Sequence, residues 1–431
     1  MTNTDADYAK ALDILLNKEE HVFLTGNAGT GKTTLINEFQ KQTSKNLSIV
    51  APTGVAAVNV GGETIHSFFG FPPNVNIERA IYEAKKSKKT KIFQSLEILV
   101  IDEISMVRAD LLDCIDIFLQ TIRKMRVSFG GVRIIMVGDL HQLPPVVTPT
   151  ERAAIFSLYQ SPYFFSSHVF QKLVSGLYTQ IIFVELQKIH RQKDPIFISL
   201  LNRIRTKQTI PEDIDILNQC LIDSESIDDH ILLTTINETA DKVNEMRLAE
   251  IDGPLHVFHA TVVGDFTEKQ SPAASDLSLK TGAKVMLLNN DPAGRWINGT
   301  VGTLYKVTKE EVYVKLENGE LETVEPVTWN SYKTRFNEEE NKIESFEVGS
   351  FKQLPLRLAW AITIHKSQGK TFQKVAIDFG RGSFAHGQTY VALSRATSLR
   401  GLKLIRPLTI ESIIVDEVVL EFLNNIKKLS V

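Results

Sequence analysis

Cysteine is scarce in this chain of 431 residues: Cys114 and Cys220 are the only two, far apart and without a CxxC companion. That excludes a disulfide framework and a cysteine-based zinc site. Also missing is any run of 18 or more apolar residues, the length a membrane-spanning helix requires. Residues 1–7 hold no basic stretch followed by an apolar one, so no secretory leader is read there. The expectation is a soluble, cytoplasmic, nucleoid-associated chain with no membrane partner. Nor does one sign of charge dominate, since 48 Lys and Arg face 51 Asp and Glu for a net charge of -3. This balance leaves a nucleic-acid partner open, because a groove can be locally basic on a neutral protein.

What is present is an alternation of short apolar runs and amphipathic stretches. Strands are expected at 21–25, 47–51, 97–101 and 132–137. Helical patterns separate them, notably 107–123, where Leu111, Leu112, Ile115, Ile117, Phe118 and Leu119 form a broad apolar stripe. This rhythm predicts an α/β fold with a parallel sheet covered by helices. A second series runs through 181–184, 231–235, 356–364 and 375–378, with helices at 238–250 and 388–396. The expected organisation is a first domain over 1–180 and a second over 181–431. An insertion near 252–355 interrupts the second domain. Its short strands at 302–307, 312–316 and 321–327, with a turn at 317–320, predict a small β barrel near 302–350. Phe68, Phe69, Phe71, Pro72 and Pro73 open a wedge-like insertion near 68–90 and are expected to stiffen a projection. The run Lys85, Lys86, Lys88 and Lys89 reads either as a solvated helix end or as a DNA-backbone contact.

Between the first strand and its helix lies Gly26-Asn27-Ala28-Gly29-Thr30-Gly31-Lys32-Thr33, a full phosphate-binding loop. Glycine is needed because the backbone must curl around phosphate oxygens with its N–H groups turned inward. The helix that follows adds its positive end. Lys32 is placed to reach the terminal phosphates, and Thr33 to set a hydroxyl on Mg2+. A second Gly-Lys-Thr at 369–371 lacks the glycine cradle and is read as no second nucleotide site. Four apolar residues ending in Asp102-Glu103 present Asp102 to hydrated magnesium and Glu103 to the attacking water. In Gly138-Asp139-Leu140-His141-Gln142, the Gln142 amide is suited to donate to a γ-phosphate and orient water. Together these residues make a nucleotide hydrolase.

Several further segments resemble a bacterial member of the Pif-one family of DNA helicases, in the RecD-like branch of superfamily one. They are the phosphate loop, 51–57, 64–68, 101–106, 111–133 with Phe129-Gly130-Gly131, and 138–145. Later come 186–192, 291–300, 365–368 and 390–396. The resemblance implies two RecA-like P-loop domains. It further implies ATP and Mg2+ as cofactors and 5′-to-3′ movement on single-stranded DNA by a monomer, with higher-order assembly left open. Its expected substrates are forked or partial duplex DNA, with G-quadruplexes and RNA–DNA hybrids as further candidates.

By the same resemblance, Arg191 and Arg395 are arginines supplied from the second lobe to the nucleotide. Gln368 sits at the ATP edge of its segment. Thr53, His66, Ser67, Thr234, Asn237, Asn298, His365, Lys366 and Ser367 are expected beside the DNA strand. Trp296 reads equally as a stacking or a packed ring. One departure is the lack of any glutamine in residues 1–25, where the family reads adenine. The competing readings are a DNA-stimulated translocase that unwinds poorly, a non-enzymatic DNA-binding scaffold and a small-molecule kinase.

Overall fold

The computed structural model describes residues 3–27, 29–175, 181–188, 192, 194–222, 227, 229–267, 271–308, 311–340, 342–380, 382–383 and 385–429. Six parallel strands form the first sheet: β1 (His21–Gly26), β2 (Leu47–Ala51), β3 (Glu63–Thr64), β4 (Ile98–Ile101), β5 (Arg133–Val137) and β6 (Ile181–Leu186). Their order is β3-β2-β4-β5-β1-β6. β4 is apolar throughout, and β1, β5 and β6 each hold three or four apolar residues in a row, because helices cover both faces. Arg133, on a central strand, is buried because its guanidinium caps a helix: it donates to Leu15 O at 2.6 Å, Glu20 O at 2.8 Å and Ile14 O at 3.0 Å. The strand over 181–184 is expected to open the second domain. It instead pairs with β1 from His21↔Ile181 to Gly26↔Leu186, so the first sheet extends past residue 180.

The second lobe is built on a parallel four-stranded sheet in the order Ala361–Thr363, Ile231–Thr234, Val375–Asp378, Leu402–Leu404. Between its first two strands in sequence lies the insertion. The hairpin turn at 317–320 forms as expected, with Gly319 at φ 90° and its N–H donating to Leu316 O at 2.9 Å. The barrel expectation is replaced by two separate pieces. Strands from 301 to 324 join Lys284–Leu287 and Leu356–Leu358 in a five-stranded antiparallel sheet. Val327–Asn337 and Lys342–Gln353 form a long hairpin that pairs with Thr261–Gly264 instead.

That hairpin reaches the first lobe. Thr334 donates from its backbone N–H at 2.6 Å and its hydroxyl at 2.7 Å to the buried Glu63 carboxylate. Phe336 and Ile343 pack against the first-lobe core. The last helix, Glu417–Leu429, also crosses back, stacking Phe422 on Phe165 with ring centroids 4.1 Å apart. The rings expected to stiffen a projection face inward: Phe68, Phe69 and Phe71 cluster with Phe93 and Phe118. Lys89 donates to Glu63 and Phe68 O, both at 3.3 Å, so it braces this cluster from above. Among the described residues, no helix is long and apolar enough to cross a membrane.

Candidate nucleotide site and nucleic-acid interface

The parallel strands of the first sheet end on one edge, and the loops leaving β1, β4 and β5 meet there, as open α/β sheets place their ligand sites. Gly26 needs its missing side chain, since a Cβ there would lie 2.6 Å from Leu186 O and 2.8 Å from the Thr30 hydroxyl. Gly29 at φ 81° and Gly31 at φ 87° supply the left-handed turns that curl the loop. Lys32 begins helix Lys32–Gln42 and donates to Gly26 O at 2.8 Å and Asn27 O at 3.1 Å. Thr33 is exposed on the first turn of that helix. Ala28 lies outside the described residues.

Opposite the loop stand three carboxylates. Asp102 accepts the Glu103 N–H at 2.9 Å, and Glu103 itself sits at φ 49°. Burial, then the neighbouring Asp102, pushes the Glu103 carboxyl up, and burial does the same to Asp102. Burial also lowers the Lys32 ammonium, with Asp139, Glu103 and Asp102 pulling the other way. Asp139 accepts the His141 N–H and the Gln142 Nε2–H, both at 3.1 Å. Burial acts to raise Asp139, but Arg205 and Lys32 outweigh it and hold the group below the usual carboxylate range. An ammonium, an orienting amide and a carboxylate of raised basicity beside a phosphate cradle are the parts that phosphoryl transfer to water requires.

Among the described residues, the second lobe touches this site through Gln368, His386 and Arg205. Gln368 donates to Gln142 Oε1 at 3.0 Å. His386 accepts the Asp416 N–H on Nδ1 at 2.8 Å, which leaves Nε2–H to donate to Leu140 O, also at 2.8 Å. Arg205, closing helix Pro195–Arg205, donates to the Asn27 side chain and lies 3.8 Å from both Asp139 and Glu185. Sequence reasoning missed Arg205 and His386. A basic residue in a last helical turn is ordinary dipole matching and raises no flag. His386-Gly387 immediately before an expected helix was the one available signal.

Arg395 is fully buried and engaged within its own lobe. It donates to Val391 O at 2.8 Å, the Ser394 hydroxyl at 2.8 Å, and Ser367 O and Lys370 O at 3.2 Å. Its charge is nonetheless felt at Glu103. Arg191 lies outside the described residues.

Of the residues expected beside DNA, Thr53, Ser67, Asn237, His365 and Lys366 are exposed, and His66 and Asn298 are partly so. By register, Thr53 and His66 follow paired ends of β2 and β3, and Asn237 and His365 follow paired ends of Ile231–Thr234 and Ala361–Thr363. Two expectations are corrected. Thr234 is buried, its hydroxyl spent on Ile236 N at 3.1 Å and O at 3.2 Å. Ser367 is buried, with its hydroxyl donating to Ile364 O at 2.7 Å. Each closes a local turn because a buried hydroxyl must be paired. Asn298 accepts from Lys370 Nζ at 2.5 Å. Trp296 is the packed ring of its two readings, buried, with Nε1 donating to Asn289 at 3.2 Å and the Arg295 guanidinium over its face.

A family model described as PIF1-like helicase matches residues 4–216, and one described as Helicase matches residues 324–423. The chain is 37% identical over 426 residues to ATP-dependent DNA helicase Pif1 of Bdellovibrio bacteriovorus, covering 96% of this chain and 90% of that one. It is 35% identical over 402 residues to human ATP-dependent DNA helicase PIF1, spanning 90% of this chain but 58% of the human protein. Among solved structures, Bacteroides sp Pif1 in complex with ADP-AlF4 superposes with a TM-score of 0.89 at 36% identity, covering 98% of this chain and 96% of that one. Bacteroides Pif1 bound to ssDNA gives 0.65 at 35% identity, covering 99% and 97%. The chain belongs to the PIF1-like family of ATP-dependent DNA helicases.

Proposed function

We propose that ATP hydrolysis, with Mg2+ held through the Thr33 hydroxyl and Asp102, advances this chain 5′ to 3′ along single-stranded DNA and opens forked or partial duplexes. Magnesium bound with a nucleotide takes one or two protein oxygens, its other ligands being phosphate and water, so these two residues suffice. The bound ion would neutralise phosphate charge. Lys32 and the loop N–H groups would hold the phosphates, Glu103 would take the proton of the attacking water, and Gln142 would orient that water. The observation that carries the reading is the Gln142–Gln368 hydrogen bond of 3.0 Å. It joins the Gln142 amide, which also donates to Asp139, to a tight turn of the other lobe, whose exposed His365 and Lys366 are two or three residues away. A change at the nucleotide would thereby move the second grip on the strand relative to Thr53, His66 and Ser67. Arg191 and Arg395 would complete the site as the lobes close.

Fluorescent fork substrates with only a 5′ or only a 3′ tail test this. Strand separation should require ATP, Mg2+ and the 5′ tail, and Lys32→Ala should abolish it. Separation that proceeds only from the 3′ tail overturns the direction. One observation favours the weak-unwinding translocase: the rings of residues 68–71 are buried and offer no apolar wedge. Rapid removal of streptavidin from a 3′-biotinylated strand with little fork opening would support that reading instead. Substituting G-quadruplex or RNA–DNA hybrid substrates in the same assay ranks the remaining candidates.

A further inference from the structure

We propose that Arg205 is a positioning residue which ties the phosphate loop and the Asp139 loop to the second-lobe core, so that nucleotide state and strand grip change together. The proposal rests on the motor reading above and adds a residue that no motif marked. Helix Pro195–Arg205 is anchored in the second lobe by Phe197, Leu200, Leu201 and Ile204, all buried in its core. Its C-terminal end leaves that core and meets the first lobe. Asn202 accepts from Asn27 Nδ2 at 3.5 Å, and one turn later Arg205 donates to Asn27 Oδ1. The Asn27 carbonyl is one of the two that hold Lys32 in place. The same guanidinium lies 3.8 Å from Asp139, whose other oxygen holds Gln142. One side chain therefore addresses both loops through which the site would register a nucleotide.

The pairing differs from that of a structural ion pair, and the neighbouring Arg203 shows the contrast. Arg203 grips Asp213 with two parallel hydrogen bonds, at 2.8 Å from Nε and 2.5 Å from Nη2, a closed fork whose remaining Nη1 donates to Ser199 of the same helix at 2.7 Å. Arg205 makes no such fork. It spreads between one acceptor, Asn27, and two carboxylates at 3.8 Å, Asp139 and Glu185, its side chain is 10% exposed, and its buried Nε has no hydrogen-bond partner among the described residues. A planar group with an unspent donor between two loops can exchange partners as the loops move, which a closed fork cannot. Lysine keeps the charge but cannot reach Asn27 and Asp139 together.

The test uses the full chain with Arg205→Ala, Arg205→Lys and Arg203→Ala. Three quantities are measured: single-strand-stimulated ATP turnover, thermal melting, and affinity for a fluorescent oligonucleotide with ADP and with a non-hydrolysable ATP analogue. The proposal expects both Arg205 variants to lose about 10-fold or more in kcat, with a much smaller change in KM. Their nucleotide-free strand affinity should stay within about 2-fold of the unmodified chain, while the ratio of the two nucleotide-bound affinities collapses toward one. Arg203→Ala should melt earlier and keep turnover and ratio. Full rescue by Arg205→Lys, or a preserved ratio in both Arg205 variants, overturns the assignment while leaving the motor reading intact. An unmodified chain whose strand affinity ignores the nucleotide overturns the motor reading and this proposal together.

Discussion

Glu103 adopts left-handed backbone geometry at φ 49°, which costs a non-glycine residue about 1–2 kcal/mol. The turn Ile104–Met106 holds it there, with Met106 N–H donating to Glu103 O at 3.0 Å. Strain kept beside a phosphate loop aims the carboxylate at a fixed point. Replacing it with glutamine should keep nucleotide affinity within about 3-fold and lower phosphate release by about 100-fold or more, as read by fluorescent-ATP titration and a phosphate assay. Normal turnover in Glu103→Gln would remove this group from the chemistry. Arg395 has a different prediction because of its burial. Truncation to alanine removes the side-chain donor to Lys370 O, at about 1–3 kcal/mol for a group left unpaired, and one of the donors to Val391 O and Ser367 O, which keep the Ser394 hydroxyl and the Lys370 N–H. Arg395→Ala should therefore lower melting as well as DNA-stimulated turnover, and a variant that loses turnover at unchanged melting would contradict the buried network.

At the scale of elements, helix Gln388–Leu393 is aimed at the β5 loop through its cap, Gly387, at φ 70°. A Cβ at 387 would lie 2.3 Å from His141 O and 2.7 Å from Gln142 O, both rigid backbone atoms. Gly387→Ala must push the helix and the loop apart, which also breaks His386 from Leu140. The expected result is loss of about 10-fold or more in turnover with nucleotide affinity largely kept, checked by the same two assays. The hairpin Val327–Gln353 gives a second expectation. Glu63→Ala removes the carboxylate that receives both Thr334 donors, Ser67 and Lys89. Amide hydrogen exchange in 327–353 should then rise, and unchanged protection would show that Phe336 and Ile343 suffice to dock it.

Across the whole molecule, buried and half-buried histidines weaken the fold as pH falls. Burial lowers His21 to about 4 and His141 to about 3, and it also lowers His386. Unfolded, each would titrate near 6.5, so the unfolded chain binds more protons below that value. The stability they contribute is present above about 6.5 and is lost as pH falls toward the folded values, at on the order of 1 kcal/mol per pH unit for each. Raised carboxylates such as Asp116 act in the opposite sense, so the comparison must isolate one group. His21 accepts the Ile134 N–H at 2.9 Å, a bond an asparagine oxygen can replace. Melting of His21→Asn should fall less between pH 7 and pH 5 than that of the unmodified chain. Parallel curves would place the acid sensitivity elsewhere.

How much of this was legible beforehand divides along physical lines. Period and punctuation reveal what is local: the apolar strands, the glycine cradle around Lys32, and the acids placed at the ends of β4 and β5. Each is dictated by contiguous residues, whose backbone demands are written in their own side chains. Which strand lies beside which is not local, and residues 181–184 and the 302–350 barrel were misplaced because pairing is chosen by competition among all edges. The roles of Arg205, His386 and Gly387 depend on partners up to 246 residues away in the chain. By itself the sequence determined that a nucleotide would be held and hydrolysed. Tertiary structure alone decided how the second half of the chain touches that event, because those contacts exist only once two separately built cores face each other.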